Sequence, residues 1–155
     1  MSNSQTTLQV GGKAPEFNVD GFKLEDFLGK IVVLYFYPKD DTPGCTIEAK
    51  EFAENQQTFD QLGVKILGVS KDNRASHEKF QSKYCLTFDL ISDDADLCQQ
   101  YGVWSERSMF GKKYMGIGRA TFLIDKKGYI AHIWPNVSVN DHALEVIAKI
   151  KELNL

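Results

Sequence analysis

The run IVVLYFY, residues 31 to 37, is continuously apolar and rich in β-branched and aromatic side chains, as befits a strand covered on both faces. Beyond it, Ala49, Phe52, Gln56, Phe59 and Leu62 recur at spacings of three and four and predict one helix with a mostly apolar face, stopping at Gly63. Val64 to Ser70, VKILGVS, reads as a second buried strand, so strand, helix and strand form a βαβ unit with a right-handed crossover. Asp72 or Asn73 can cap a further helix through about Tyr84, with Phe80 and Tyr84 on one face. A strand-like Phe88 to Ser92 and a short helix from about Asp94 to Tyr101 follow. Ala120 to Asp125 and Tyr129 to Trp134 flank Lys126-Lys127-Gly128 and predict a β-hairpin. Asn140 to Leu153, with Ala143, Leu144, Ile147 and Ile150 at helical spacing, closes the chain as an amphipathic helix. Together these elements predict an α/β fold, a central mixed β-sheet flanked by helices on both faces.

Composition narrows the class. No repeat, low-complexity tract or linker divides the 155 residues, so residues 1–155 are expected to form a single domain. The net charge is -3 and the lysines are scattered; Lys112-Lys113 and Lys126-Lys127 read as solvated loop or turn charges, which argues against nucleic acid as a partner. Residues 1 to 10, MSNSQTTLQV, show no export signal, and no stretch reaches the ~18 apolar residues of a membrane helix. A soluble, cytoplasmic protein is expected, without membrane association. Its three widely spaced cysteines then read as thiols, not as a disulfide framework.

The chemistry gathers where the first strand runs into an acidic, proline-bracketed turn, PKDDTPGC, residues 38 to 45. Thr42 is a favoured N-cap, Pro43 fits N1, and Cys45 then falls at N3. There the sulfur meets unpaired backbone N–H groups and the positive end of the helix dipole, both of which favour a thiolate. Bringing a free thiol from a pKa of about 8.5 to about 6 takes roughly 3.4 kcal/mol, whereas a helix start supplies only about 0.3 to 2 kcal/mol. A cation or further donors must therefore contribute, and Asp40, Asp41 and Glu48 add to the shortfall. Without such help Cys45 is a small hydrophobe in the first turn of an ordinary helix.

Other chemistries fit less well. A dithiol oxidoreductase needs Cys-x-x-Cys, and Thr42 stands in the place of the first cysteine. A cysteine hydrolase needs a base, and His77, His132 and His142 lie in no recognisable motif. The cysteines and histidines lack zinc-like spacing, and Gly111 to Gly116 is followed by Ile117-Gly118 where a phosphate loop needs Lys and Ser or Thr.

With Pro38, Thr42 and Cys45 in place, the stretch matches P-x-x-x-T-x-x-C and resembles the active-site signature of peroxiredoxins. The context DDTPGCTIEA resembles their bacterioferritin-comigratory, or Q-type, branch. The likeness continues through Lys13-Ala14-Pro15-Glu16-Phe17, Leu67-Gly68-Val69-Ser70, Leu90-Ile91-Ser92-Asp93, Tyr101-Gly102-Val103-Trp104 and residues 116 to 125, GIGRATFLID. It covers about residues 11 to 150.

The resemblance implies a thioredoxin-like fold and a thiol-dependent peroxidase acting on hydrogen peroxide and small organic hydroperoxides, with no metal or organic cofactor. It makes Cys45 the peroxidatic residue and Arg119 the active-site arginine beside it, the cation that the arithmetic requires. Thr42 would hold the peroxide oxygens, Pro38 would cover the sulfur, and Glu48 would orient Arg119 or merely favour the helix start. Thioredoxin or another thiol is the implied reductant, and a monomer or weak homodimer the expected state. A redox sensor or holdase using Cys45 oxidation without turnover is the alternative.

In one respect the chain departs from the branch it resembles. The resolving cysteine that many members carry five residues after the peroxidatic one is here Lys50, and the position used by others aligns with Gln81. Cys85 lies one helical turn further on, on the order of 15 Å along its helix at 1.5 Å per residue, whereas a disulfide needs Cα atoms within about 7 Å. Either Cys85 resolves Cys45 after local unfolding, or the enzyme works with one cysteine and an external thiol. Cys98, between Leu97 and Tyr101, reads as packing.

Overall fold

The computed structural model describes residues 6–155; residues 1–5 of the segment read for an export signal lie outside the described residues. A short hairpin of β1 (Asn18–Val19) and β2 (Phe22–Lys23) leads through a 3-10 turn, Leu24–Phe27, into β3 (Ile31–Phe36). Then come α1 (Pro43–Glu54), α2 (Gln56–Gln61), β4 (Val64–Ser70), α3 (Arg74–Tyr84), β5 (Asp89–Ser92) and α4 (Asp96–Gln100). The chain closes with β6 (Trp104–Met109), β7 (Lys112–Ile117), β8 (Ala120–Ile124), β9 (Ile130–Trp134) and α5 (His142–Leu153).

Five strands form the central sheet in the order β5-β4-β3-β8-β9. β3, β4 and β5 are parallel, β8 pairs antiparallel with β3, and β9 pairs antiparallel with β8, so the sheet is mixed as expected. All six residues of β3 are buried, because the strand is central and covered twice. Its alternation divides the core. Ile31, Val33, Tyr35 and Tyr37 face Ala49 and Phe52 of α1, Phe59 of α2, Phe80 of α3 and Val146 of α5. Val32, Leu34 and Phe36 face the N-terminal segment, α4, Tyr101 and Ile117.

Three expectations need correction. The helix expected to run to Gly63 breaks at Asn55, which closes α1 with φ -104° and ψ 12°, its side-chain amide donating to the Glu51 carbonyl. Phe59 stays buried across the break, so the apolar spacing survived although the helix did not. Residues 112 and 113 are exposed strand positions in a β6–β7 hairpin and not loop charges. In α5, Leu144 faces solvent and Val146 takes the core position.

Candidate active site

Sheet register brings the site together. The antiparallel pairing of β3 with β8 sets Phe36 opposite Ala120, so Arg119, one residue earlier, reaches the same sheet edge as the turn that leaves β3. In that turn Asp41 takes a left-handed φ of 58°, and α1 then starts with extended Thr42 in the cap position, Pro43 in the first turn and Cys45 behind it. The first helical hydrogen bond runs from Thr46 N to the Thr42 carbonyl at 2.8 Å. The Gly44 and Cys45 amides precede it and have no intrahelical acceptor. Thr42 holds the cap position without acting as a side-chain cap: its hydroxyl donates to the Lys39 carbonyl at 2.9 Å, which leaves the oxygen's lone pairs free to accept.

Cys45 is 1% exposed. Both terminal guanidinium nitrogens of Arg119 lie 3.5 Å from its Sγ, and Nη1 also donates to Glu48 Oε1 at 3.1 Å. Gly44 permits this approach, since a Cβ there would stand 3.1 Å from Arg119 Nη2. Burial works against the guanidinium charge, but the charges of Cys45 and Glu48 beside it raise its pKa still further above the ordinary arginine value. Glu48 is 1% exposed, and burial pushes its carboxyl up to about 7 although Arg119 pulls it down. Its Oε2 is buried without a partner.

Tyr35 belongs to this neighbourhood too, and nothing in an apolar strand marks it in the sequence. Its hydroxyl is buried and unpartnered, and burial, then the Glu48 and Cys45 charges, push the phenol well above its ordinary range.

Both aspartates of the acidic turn have partners on α3. Burial would raise the Asp40 carboxyl, but hydrogen bonds from His77, Tyr37 and Ser76 hold it below the usual value. Asp41 is lowered by the hydrogen bonds it accepts from Lys83 at 2.8 Å and Tyr84 at 2.7 Å. With Glu48 paired to Arg119 and Asp41 to Lys83, each of the three acids has a hydrogen-bonding partner.

Thr42, Cys45, Glu48 and Arg119 thus converge, while Pro38 and Cys85 sit differently. Pro38 is exposed and lines a cleft of about 210 Å³ whose far wall, Trp104, Tyr114, Met115 and Ile117, belongs to the unforeseen β6–β7 hairpin. Cys85 is an exposed free thiol that terminates α3 in the left-handed region, φ 55°. Cys98 is buried and its amide donates to the Asp93 carboxylate; burial pushes its thiol far up, in keeping with packing. His142 is buried between Thr121 and Glu145, so neither it nor His77 is an exposed base.

Residues 10–133 match the AhpC/TSA family. The chain belongs to that family, on its Bcp peroxiredoxin branch. The Bacillus subtilis protein named peroxiredoxin Bcp is 44% identical over 154 residues, 96% of this chain and 98% of the relative. Its Escherichia coli K12 namesake is 41% identical over 151 residues, 94% and 97% of the two chains. Among solved structures, the Xanthomonas campestris bacterioferritin comigratory protein, studied for alkyl peroxide reduction, superposes with a TM-score of 0.84 at 38% identity, covering 98% of each chain. A serine variant of Xylella fastidiosa PrxQ gives 0.84 at 38% identity over 100% of this chain and 98% of its own. This peroxiredoxin has the thioredoxin-like fold of its relatives and is a thiol-dependent peroxidase.

Proposed function

We propose that Cys45 is the peroxidatic nucleophile and that the bridging of its sulfur to Glu48 by Arg119 carries the assignment. The thiolate attacks the terminal oxygen of a peroxide; a sulfur–oxygen bond forms, the O–O bond breaks, and the departing oxygen takes a proton and leaves as water or an alcohol. A thiol then attacks the sulfenic acid and releases water with formation of a disulfide, which a second thiol reduces. The Thr42 hydroxyl and the Gly44 and Cys45 amides hold the two oxygens in line, and Arg119 stabilises charge as the O–O bond lengthens. Glu48 orients Arg119, and Pro38 shields the outer side of the sulfur from water.

Hydrogen peroxide and small organic hydroperoxides are the substrate class, the second supported by the likeness to the Xanthomonas protein. Thioredoxin or another thiol is the reductant. The three free thiols suit a reducing compartment, the cytoplasm, and among the described residues no helix is long and apolar enough to cross a membrane. The enzyme acts as one domain, a monomer or weak homodimer, without nucleic acid.

Resolution through Cys85 requires α3 to unwind. Cys45 is buried and Cys85 is exposed at the end of α3, and both ends of the helix are tied to the turn, Ser76 and His77 to Asp40 and Lys83 and Tyr84 to Asp41. Oxidation with one equivalent of hydrogen peroxide, read by intact mass and disulfide mapping beside Cys45→Ser and Cys85→Ser, decides the route. A Cys45–Cys85 bridge is expected if α3 opens, and a sulfenic acid confined to Cys45 if an external thiol resolves it. A Cys45 that stays reduced while peroxide persists would sink the assignment. Sustained turnover with a reducing system separates the enzyme from a sensor oxidised once.

A further inference from the structure

Among the described residues, one ion pair has both side chains buried, His77 with Asp40, exposed 0% and 3%. Its hydrogen bonds define its protonation. His77 Nε2 lies 3.1 Å from the Ile91 carbonyl oxygen, which can only accept, so Nε2 carries a hydrogen. Nδ1 lies 2.8 Å from Asp40 Oδ2. That carboxyl already accepts from the Tyr37 hydroxyl at 2.6 Å and the Ser76 hydroxyl at 2.8 Å, the surroundings of an ionised group. An unprotonated Nδ1 would set its lone pair against a carboxylate oxygen in a dry interior, so Nδ1 carries a hydrogen as well. Both nitrogens are thus placed to donate, the arrangement that an imidazolium satisfies.

The pair joins α3 to the turn that leads to Cys45. Asp40 lies two residues before Thr42 in the turn that ends at Cys45, and its amide donates to Asp72 Oδ2 at 2.8 Å. Asp72 also accepts from Ser70 at the end of β4. Other charged groups around the pair are Asp41 in the turn and Lys79 and Lys83 on α3, which line with Asp40 an open cleft of about 770 Å³. Of these, Lys83 is taken up by Asp41, so the buried charge of Asp40 is answered by His77.

We propose that His77 is a positioning residue for peroxide reduction: as a buried imidazolium it clamps Asp40, holds the Thr42–Cys45 turn in its reactive shape, and cancels a carboxylate charge close to the thiolate. This rests on the reading of Cys45 as the nucleophile. Its loss acts in two ways at once, by freeing the turn and by leaving Asp40 as an uncompensated anion that disfavours ionisation of the sulfur.

Histidine nitrogen NMR on the reduced full-length protein at neutral pH tests the charge state without any substitution. Both His77 nitrogens are expected to resonate as protonated; an unprotonated Nδ1 would overturn the proposal. The role is tested by the pH profile of Cys45 alkylation and by kcat/KM for hydrogen peroxide, in a Cys85→Ser background. His77→Gln, whose neutral amide stands in for Nε2 on the Ile91 carbonyl and not for Nδ1 on Asp40, should move the alkylation midpoint up by about one pH unit and lower kcat/KM about tenfold. His77→Asn, whose amide can still donate to Asp40, should fall between. The pair Asp40→Asn with His77→Gln should return the midpoint toward that of the unsubstituted protein, which a merely structural role would not do. If every variant that folds keeps both quantities within about twofold, the proposal is wrong. A Cys45 that peroxide fails to oxidise overturns the nucleophile reading and the positioning role with it, but leaves the NMR result on the ion pair standing.

Discussion

Glu48 shows how one side chain carries opposed demands. It is buried with one oxygen on Arg119 and the other unpartnered, and its carboxyl moves from an ordinary 4.5 up to about 7. Between those values the folded protein holds a proton that the unfolded chain has released, so this stabilising contribution is full below about 4.5 and lost as pH rises through about 7. The amount at stake is on the order of 3 kcal/mol. Thermal melts across that window should therefore show Tm falling with pH in the unsubstituted protein and falling less in Glu48→Gln, which gains on it above the upper value. Parallel curves would mean that Glu48 ionises freely in the fold. At Arg119 the expectation concerns rate. Arg119→Ala should lower kcat/KM for peroxide by about 10² to 10³, and Arg119→Lys should recover only part, because an ammonium cannot donate to Sγ and Glu48 through one planar fork. Stopped-flow peroxide consumption measures both, and a lysine variant at full activity would show that charge alone suffices.

Elements with one clear period in the sequence formed as expected. β3 is continuously apolar because it is central, and α3 begins where Asn73 accepts from Ser76 N at 2.9 Å. The β8–β9 hairpin turns at the lysine pair and Gly128, whose φ is 88°. The β6–β7 hairpin escaped notice because most of its strand positions are exposed or only partly buried, which leaves no apolar alternation to read. The break at Asn55 was hidden for the opposite reason, since Phe52 and Phe59 lie on a continuous apolar face through it. Between elements, Gly68 marks the closest approach: a Cβ there would meet Leu90 Cδ2 at 2.8 Å and Tyr35 Cζ at 2.9 Å. Gly68→Ala should destabilise by about 1 to 3 kcal/mol in urea unfolding and disturb Tyr35, which stacks on Phe52 at 4.8 Å between centroids. An alanine variant as stable as the original would show that β4 and β5 can shift apart freely.

At the scale of the whole molecule, the two faces of one sheet share every strand, so they should unfold together. Each face has its own tryptophan, Trp134 against the α1–α5 side and Trp104 against the α4 side. Single-tryptophan variants, Trp104→Phe and Trp134→Phe, followed by fluorescence in urea beside far-ultraviolet circular dichroism, should give coincident midpoints. Separate transitions would mean that the chain is not a single cooperative domain.

The sequence by itself determined the strand that delivers the site and the helix start that holds Cys45, because local periodicity and capping chemistry are encoded within a few residues; Arg119 was named beside the sulfur only through the resemblance to peroxiredoxins. Only the tertiary structure decided which charges meet. The Phe36–Ala120 register brings Arg119 to a sulfur 74 positions away, and the fold of α3 over the turn gives Asp40 to His77 and Asp41 to Lys83 and Tyr84. Those pairings follow from strand order and helix packing, which bring together groups with no local relation in the chain and give both aspartates of the acidic turn their partners.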